Sequence, residues 1–200
     1  LIRAIMDCRN DDGGFAWFKG FESSPLLTAA MLERINSIIE RELASTFDEI
    51  SSEKLSDTIL SEEIIAAAVH YLDRCQFSAR MKRQLWCGGL SFEQYLSIRT
   101  KYSAIEFNSD KLGNEYKEFK KELNEYLFPG KKKVLNDGIL SKTRRISVMH
   151  RLIADDYGLA LAQKWGISLF AKHRIKNSLS KDYSSLVEYA VVHKNGAWYY

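Results

Sequence analysis

The residues able to do chemistry in this 200-residue chain are few and scattered. Four histidines, His70, His150, His173 and His193, stand singly on separate segments, and none has a second ligand four residues away, the spacing a helical metal site needs. They read as surface or half-buried side chains. Two Asp-Asp pairs, Asp11-Asp12 and Asp155-Asp156, could in principle hold a divalent cation or share a proton. As sequence neighbours in loops they read more simply as turn and helix-end residues. Cys8, Cys75 and Cys87 are odd in number and irregularly spaced, without a Cys-x-x-Cys pair, so neither a disulfide framework nor a zinc site follows. There is no Gly-x-Ser-x-Gly elbow and no phosphate-cradling glycine loop. The residues therefore point away from an enzyme, with no catalytic residue, metal or cofactor assigned.

The segment with most information is Asn10-Asp11-Asp12-Gly13-Gly14-Phe15-Ala16-Trp17-Phe18-Lys19-Gly20, followed by Ser23-Ser24-Pro25. Paired glycines allow positive φ and close backbone approach, while Phe15, Trp17 and Phe18 offer large rings to fill a gap between helix ends. A weaker echo, Asn195-Gly196-Ala197-Trp198-Tyr199, stands near the end. Gly13, Gly14, Phe15, Trp17, Phe18, Gly196 and Trp198 are thus expected to act structurally, as aromatic pins locking one helical hairpin to the next.

The elements that hold these loops read as helices. Only two prolines occur, apolar residues make up 46% of the chain and charged ones 28%, which excludes a disordered tail and disfavours a turn-rich β-sandwich. Ser24 is expected to cap a helix with Pro25 in its first turn and Leu27, Met31, Ile35, Ile38 and Leu43 as its buried stripe. A second helix carries Ile59, Leu60, Ile64, Ile65, Ala68, Val69 and Leu72, giving way to a polar interval from Arg74. Ser91 and Gln94 form a capping-box pattern opening a helix to about Glu106, with Tyr95, Ile98 and Tyr102 on one side. Further helices are expected from Ser109 to Leu127, with Leu112, Tyr116, Phe119 and Leu123 on one side, and from Gly138 to Tyr157, with Ile146, Met149 and Ile153 inside. Residues 159–179 are also expected to be helical, and Ser184–Val192 forms a last short helix. No run reaches the ~20 apolar residues of a membrane span.

The formal charge of +3 is unevenly placed: residues 1–100 carry a net −4 and residues 101–200 a net +7. A basic half can serve nucleic acid, with Lys131–Lys133, Lys142, Arg144 and Arg145 as the candidate face, but Lys interleaved with Glu reads as solvated helix surface. No nucleic acid partner is assigned.

The loop Asp11–Gly20 and the following helix with Thr28 resemble the helical thioester-type domain of bacterial alpha-2-macroglobulins. Ala68-Val69-His70-Tyr71-Leu72-Asp73 and Glu93-Gln94-Tyr95-Leu96-Ser97-Ile98-Arg99 are similar to inner helices of that family. Leu186-Val187-Glu188-Tyr189-Ala190-Val191 with Gly196-Ala197-Trp198-Tyr199 is similar to its next hairpin and closing aromatic loop. The resemblance implies an all-α fold of helical hairpins in an α/α toroid, as in terpenoid cyclases and complement thioester domains. The chain would be a single helical domain over residues 1–200, and the helical pattern already running at Leu1 and the aromatic run at Tyr200 imply that a larger structure has been cut. It would be an incomplete toroid excised from a larger multidomain protein.

The implied function is that of a non-catalytic domain in a protein that traps and inhibits proteases. Its partners would be neighbouring β-domains of the parent chain and, for the full-length protein, target proteases. It would be exported, periplasmic or membrane-tethered by parts outside this chain, without direct membrane insertion. The family's reactive thioester uses Cys-x-Glu-Gln; five residues separate Cys87 from Glu93-Gln94 instead of one, a spacing that rejects Cys87 and Gln94 as the reactive pair. The alternatives are an α/α-toroid enzyme of terpenoid-cyclase or glycan-processing type, in which Asp11 and Asp12 would face a cavity, and a helical protein-interaction scaffold.

Overall fold

Helix formation begins where local chemistry supplies the missing partners of a first turn. Ser24 Oγ accepts from the Leu27 amide at 3.3 Å, and Pro25 occupies the position where no N–H is needed. The computed structural model describes residues 7–45, 62–77, 89–108, 114–130, 138–167 and 171–193. Expectations placed on Leu1–Met6, Ile59, Leu60, Cys87, Ser109, Leu112, Lys131–Lys133, Gly196 and Trp198, and on the side chain of Leu43, lie outside the described residues. Those residues hold seven helices, no β-strand and one isolated bridge between Arg9 and Phe15; the chain is all-α. Two compact units divide it after Phe107. No helix among the described residues is long and apolar enough to cross a membrane.

The first unit contains α1 (Pro25–Ser45), α2 (Glu62–Phe77) and α3 (Phe92–Arg99), each packed on the other two. The buried stripe of α1 is Thr28, Ala29, Leu32, Ile35 and Asn36; Ile35 is buried as expected, while the rest of the stripe is shifted by one residue. Leu27 and Met31 are half-buried and Ile38 is exposed, because a hydrogen bond described below turns Thr28 inward. Ile65, Ala68, Val69 and Leu72 of α2 meet this stripe as expected, but α2 runs on through Arg74 to bury Cys75, Gln76 and Phe77. Phe77 then packs edge-on against Tyr95 and Phe107.

α3 opens with the expected capping box, Ser91 Oγ accepting from the Gln94 amide and Gln94 Oε1 from the Ser91 amide. It ends at Arg99 rather than near Glu106. The reason is the Arg99 side chain, only 1% exposed, which donates to the carbonyls of Tyr102 at 2.7 Å and Ile105 at 2.8 Å and so winds that segment into turns. Its Nε donates to both carboxylate oxygens of Asp73 on α2, at 3.1 and 3.2 Å, and Tyr95 OH donates to the same group at 2.6 Å. Burial pushes the Asp73 carboxyl upward, while Arg99 and Tyr95 act in the opposite direction.

The second unit contains α4 (Asn114–Leu127), α5 (Ile139–Ala154), α6 (Asp156–Lys164) and α7 (Ala171–His193). Phe119, Leu123 and Leu127 are buried on α4 as expected, joined by Tyr126, while Tyr116 is half-buried. Asp155 breaks the expected continuous helix: it is extended, and its Oδ1 accepts from the Gly158 amide at 2.7 Å to cap α6. Leu152 takes the inside position expected for Ile153, which is half-buried. A left-handed Gly166 follows α6. Residues 171–193 form one long helix in place of the short one expected from Ser184.

Arg145 on α5 and Asp182 on α7 form a bidentate pair at 2.7 Å through both oxygens, each side chain 1% exposed. Beside it, the buried Lys142 Nζ donates to Ser185 Oγ at 2.7 Å. Removing one partner leaves an uncompensated buried charge. Asp182→Ala is therefore expected to lower unfolding free energy by ~3–5 kcal/mol in urea titrations. The double variant Arg145→Met, Asp182→Leu should recover most of that loss.

Candidate functional site

The candidate site is the glycine-aromatic loop between Asp7 and Ser24, and its geometry starts from two glycines. Gly13 has φ +86°, and a Cβ there would lie 2.5 Å from the Ala67 carbonyl oxygen on α2. A Cβ on Gly14 would meet Ser23 Cβ at 2.5 Å and Tyr71 Cε1 at 2.9 Å. The loop backbone therefore lies directly on α2, at a distance that any side chain would forbid.

Around the glycines the chain folds back on itself. Ala16 N donates to the Cys8 carbonyl at 2.8 Å, Asn10 N to Gly14 at 2.9 Å and Gly13 N to Asn10 at 3.0 Å. Phe15 N donates to Thr28 Oγ1 at 2.9 Å, and that hydroxyl donates onward to the Ser24 carbonyl at 2.8 Å. Ser24 N returns a bond to the Phe15 carbonyl at 2.8 Å. Thr28 thus joins the loop to the first turn of α1, and all of these groups are buried.

The side chains of Asn10, Asp12 and Ser23 are engaged in the same way. Asp12 Oδ1 accepts from the Gly14 amide at 2.9 Å and from Ser23 Oγ at 2.7 Å. Asn10 Nδ2 donates to the Phe21 carbonyl at 2.8 Å and to Ser23 Oγ at 2.9 Å. Tyr71 OH donates to the Ser23 carbonyl at 2.7 Å, and Arg74 donates to the Asp12 carbonyl. Asp11 and Asp12 are both exposed, and Asp12 serves as a turn carboxylate.

The aromatic residues separate into two groups. Phe15 is 2% exposed and fills the interior as a pin. Trp17 and Phe18 do not: they are 56% and 66% exposed, as is Phe21 at 57%, and Phe18 meets Phe21 edge-on at 5.6 Å between ring centres. The internal bonds fix the backbone from Asn10 to Phe15 against α1 and α2, and the turn from Phe18 to Phe21 projects beyond it. The pin role expected of Trp17 and Phe18 is corrected accordingly. Gly196 and Trp198 lie outside the described residues.

Sequence reasoning missed Asn10, Ser23, Tyr71 and Arg74, whose contribution depends on chain segments 11 to 62 residues apart. The only local signal was a threonine on the third residue after Pro25. Gln94, weighed as a thioester partner, uses its side-chain oxygen in the α3 cap. His70 is half-buried, while His150 and His173 are exposed, and among the described residues no three His, Cys, Asp or Glu side chains converge. Of the residues that an alternative nucleic-acid face would need, Lys142 and Arg145 point inward. Compared with protein-family models, with curated proteins and with solved structures, the chain matches none.

Cys75, buried one turn after Tyr71 on α2, is neither disulfide-bonded nor reactive by environment, since burial pushes its thiol up to about 11. Because the folded value lies above the ordinary one of 9.0, this group favours the fold below pH ~9 and that contribution is lost as pH rises through about 11. Iodoacetamide at pH 8, followed by peptide mass mapping, should leave Cys75 unmodified in native protein and label it in denaturant.

Two substitutions test the division of the aromatic residues. Phe15→Ala is expected to destabilise by ~3–5 kcal/mol, as for other buried rings. Trp17→Ala combined with Phe18→Ala should change unfolding free energy by less than ~1 kcal/mol. Comparable losses for both variants would show that all three rings are buried pins.

Proposed function

We propose that this chain is a non-catalytic helical domain of an alpha-2-macroglobulin-like protein that traps and inhibits proteases. In this reading its helical hairpins belong to an α/α toroid that is exported, periplasmic or membrane-tethered through other parts of the parent. The domain packs on neighbouring β-domains and moves with them when a protease cuts an exposed bait segment.

One observation carries the reading: the glycine-aromatic loop is built as a clamp. Its Phe15 amide and Thr28 hydroxyl are bonded inside the first unit and its Asp12 carboxylate closes the loop on itself, which leaves exposed rings rather than converging acids or nucleophiles. A fixed loop with projecting Trp17, Phe18 and Phe21 suits packing against another domain, where aromatic area carries much of the contact energy. The alternative of a toroid enzyme needs Asp11 and Asp12 aimed into a cavity, and their exposed positions in the loop do not favour it.

The test uses the intact parent protein with a panel of endopeptidases. After bait cleavage, a trapped protease should still hydrolyse a small chromogenic peptide while losing activity on a large protein substrate. Equal activity on both substrates for every protease would overturn the trapping role.

A further inference from the structure

The second unit carries the positive charge of the molecule. α5, Ile139–Ala154, contains Lys142, Arg144, Arg145 and Arg151 and no acidic residue. α7 carries Lys172, Arg174, Lys176 and Lys181, and its Asp182 is consumed by the buried pair with Arg145. Over residues 172–187 every exposed charge on α7 is therefore positive.

This helix also bears a shallow recess of about 590 Å³ lined by Lys176, Leu179, Ser180, Tyr183, Ser184 and Val187. Leu179, Tyr183 and Val187 follow one another at four-residue intervals, the spacing of an apolar stripe along one helix face. Ser180 and Ser184 flank the stripe, and Lys176 stands at one end with Lys172 one turn earlier. His150 of α5 meets Tyr183 through Nε2 and OH at 2.7 Å, fixing the ring at the edge of the recess. Tyr183 and Val187 remain 44% and 61% exposed.

We propose that this face of α7 is a docking site for an acidic amphipathic peptide segment of a protein partner. Charge complementarity selects the sign of the partner: carboxylates would meet Lys172 and Lys176 where α7 offers no exposed carboxylate among residues 172–187. The apolar pair selects its form, since a helix with apolar anchors at three- and four-residue spacing can lie along Tyr183 and Val187, whose stripe is continued inward by the buried Leu179. A nucleic acid would need a contiguous row of cations for successive phosphates, whereas a single lysine lines this recess and Lys142 and Arg145 are buried.

The test is fluorescence anisotropy with the 200-residue chain and a labelled synthetic helix of Glu and Leu, Leu being placed at three- and four-residue intervals. Three comparison probes are a scrambled peptide of equal composition, a 20-mer oligonucleotide and phosphatidylserine vesicles. Saturable, salt-sensitive binding of the patterned peptide is expected, at least about tenfold tighter than the scrambled one. Lys176→Glu and Val187→Asp should each weaken it about tenfold, while Lys181→Glu, an equal charge change outside the recess, should leave it within about twofold. Circular dichroism of each variant checks that the helices persist. Equal binding of both peptides, an equal loss in Lys181→Glu, or tighter binding of the oligonucleotide or vesicles would each overturn the proposal.

Discussion

The first unit depends on a contact made by backbone alone. Gly13, at φ +86°, lies so close to the Ala67 carbonyl of α2 that a single methyl group would collide with it. That approach fixes the height of the loop above α2, and the other bonds then reach their partners. Thr28 takes the Phe15 amide, Tyr71 takes the Ser23 carbonyl, and Phe15 drops into the interior. The turn of Thr28 toward the loop also sets the rotation of α1, so that Leu32 joins Ile35 in the core while Met31 is half-buried and Ile38 exposed. A local steric allowance thus decides which face of a 21-residue helix is buried.

The second unit is organised by charge that has been taken inside. Arg145 and Asp182 satisfy each other through two bonds, and Lys142 finds Ser185 one turn away. Burying an ion pair gives little net stability over an apolar pair, but it penalises wrong registers strongly because each would strand a charge. The α5–α7 register is in this sense specified by polarity, while Phe119, Trp165, Met149 and Leu152 supply the burial. Neutralising Asp182 internally has a second effect: over residues 172–187 the exposed charges of α7 are all cationic.

Local signals were legible in the sequence where they were complete within one turn. The Ser24-Pro25 start of α1, the Ser91-Gln94 box of α3 and the apolar face of α4 need no distant partner to operate. The all-α class is legible from them. What could not be read depended on residues far apart in the chain. Arg99 stops α3 because it finds Asp73 and two downstream carbonyls at once, and nothing in its neighbours marks it as buried. Asp155 separates α5 from α6 by a cap that resembles an ordinary surface acid. Trp17 and Phe18 look like pins because hydrophobicity says only that a ring prefers contact, not which contact is within reach. Lys142 and Arg145 look in the sequence like members of an exposed basic face, whereas their partners on α7 draw them inward.

The central claim is that the loop is a rigid clamp rather than a mobile ligand-binding segment. Native-state amide hydrogen exchange of Phe15 measures this most directly, since its N–H is held by Thr28 Oγ1 inside the unit. The Phe15 amide should exchange as slowly as those of Val69 and Leu72 in the middle of α2, through unfolding of the whole unit. Exchange of Phe15 at the rate of an open loop, with α2 still protected, would contradict it.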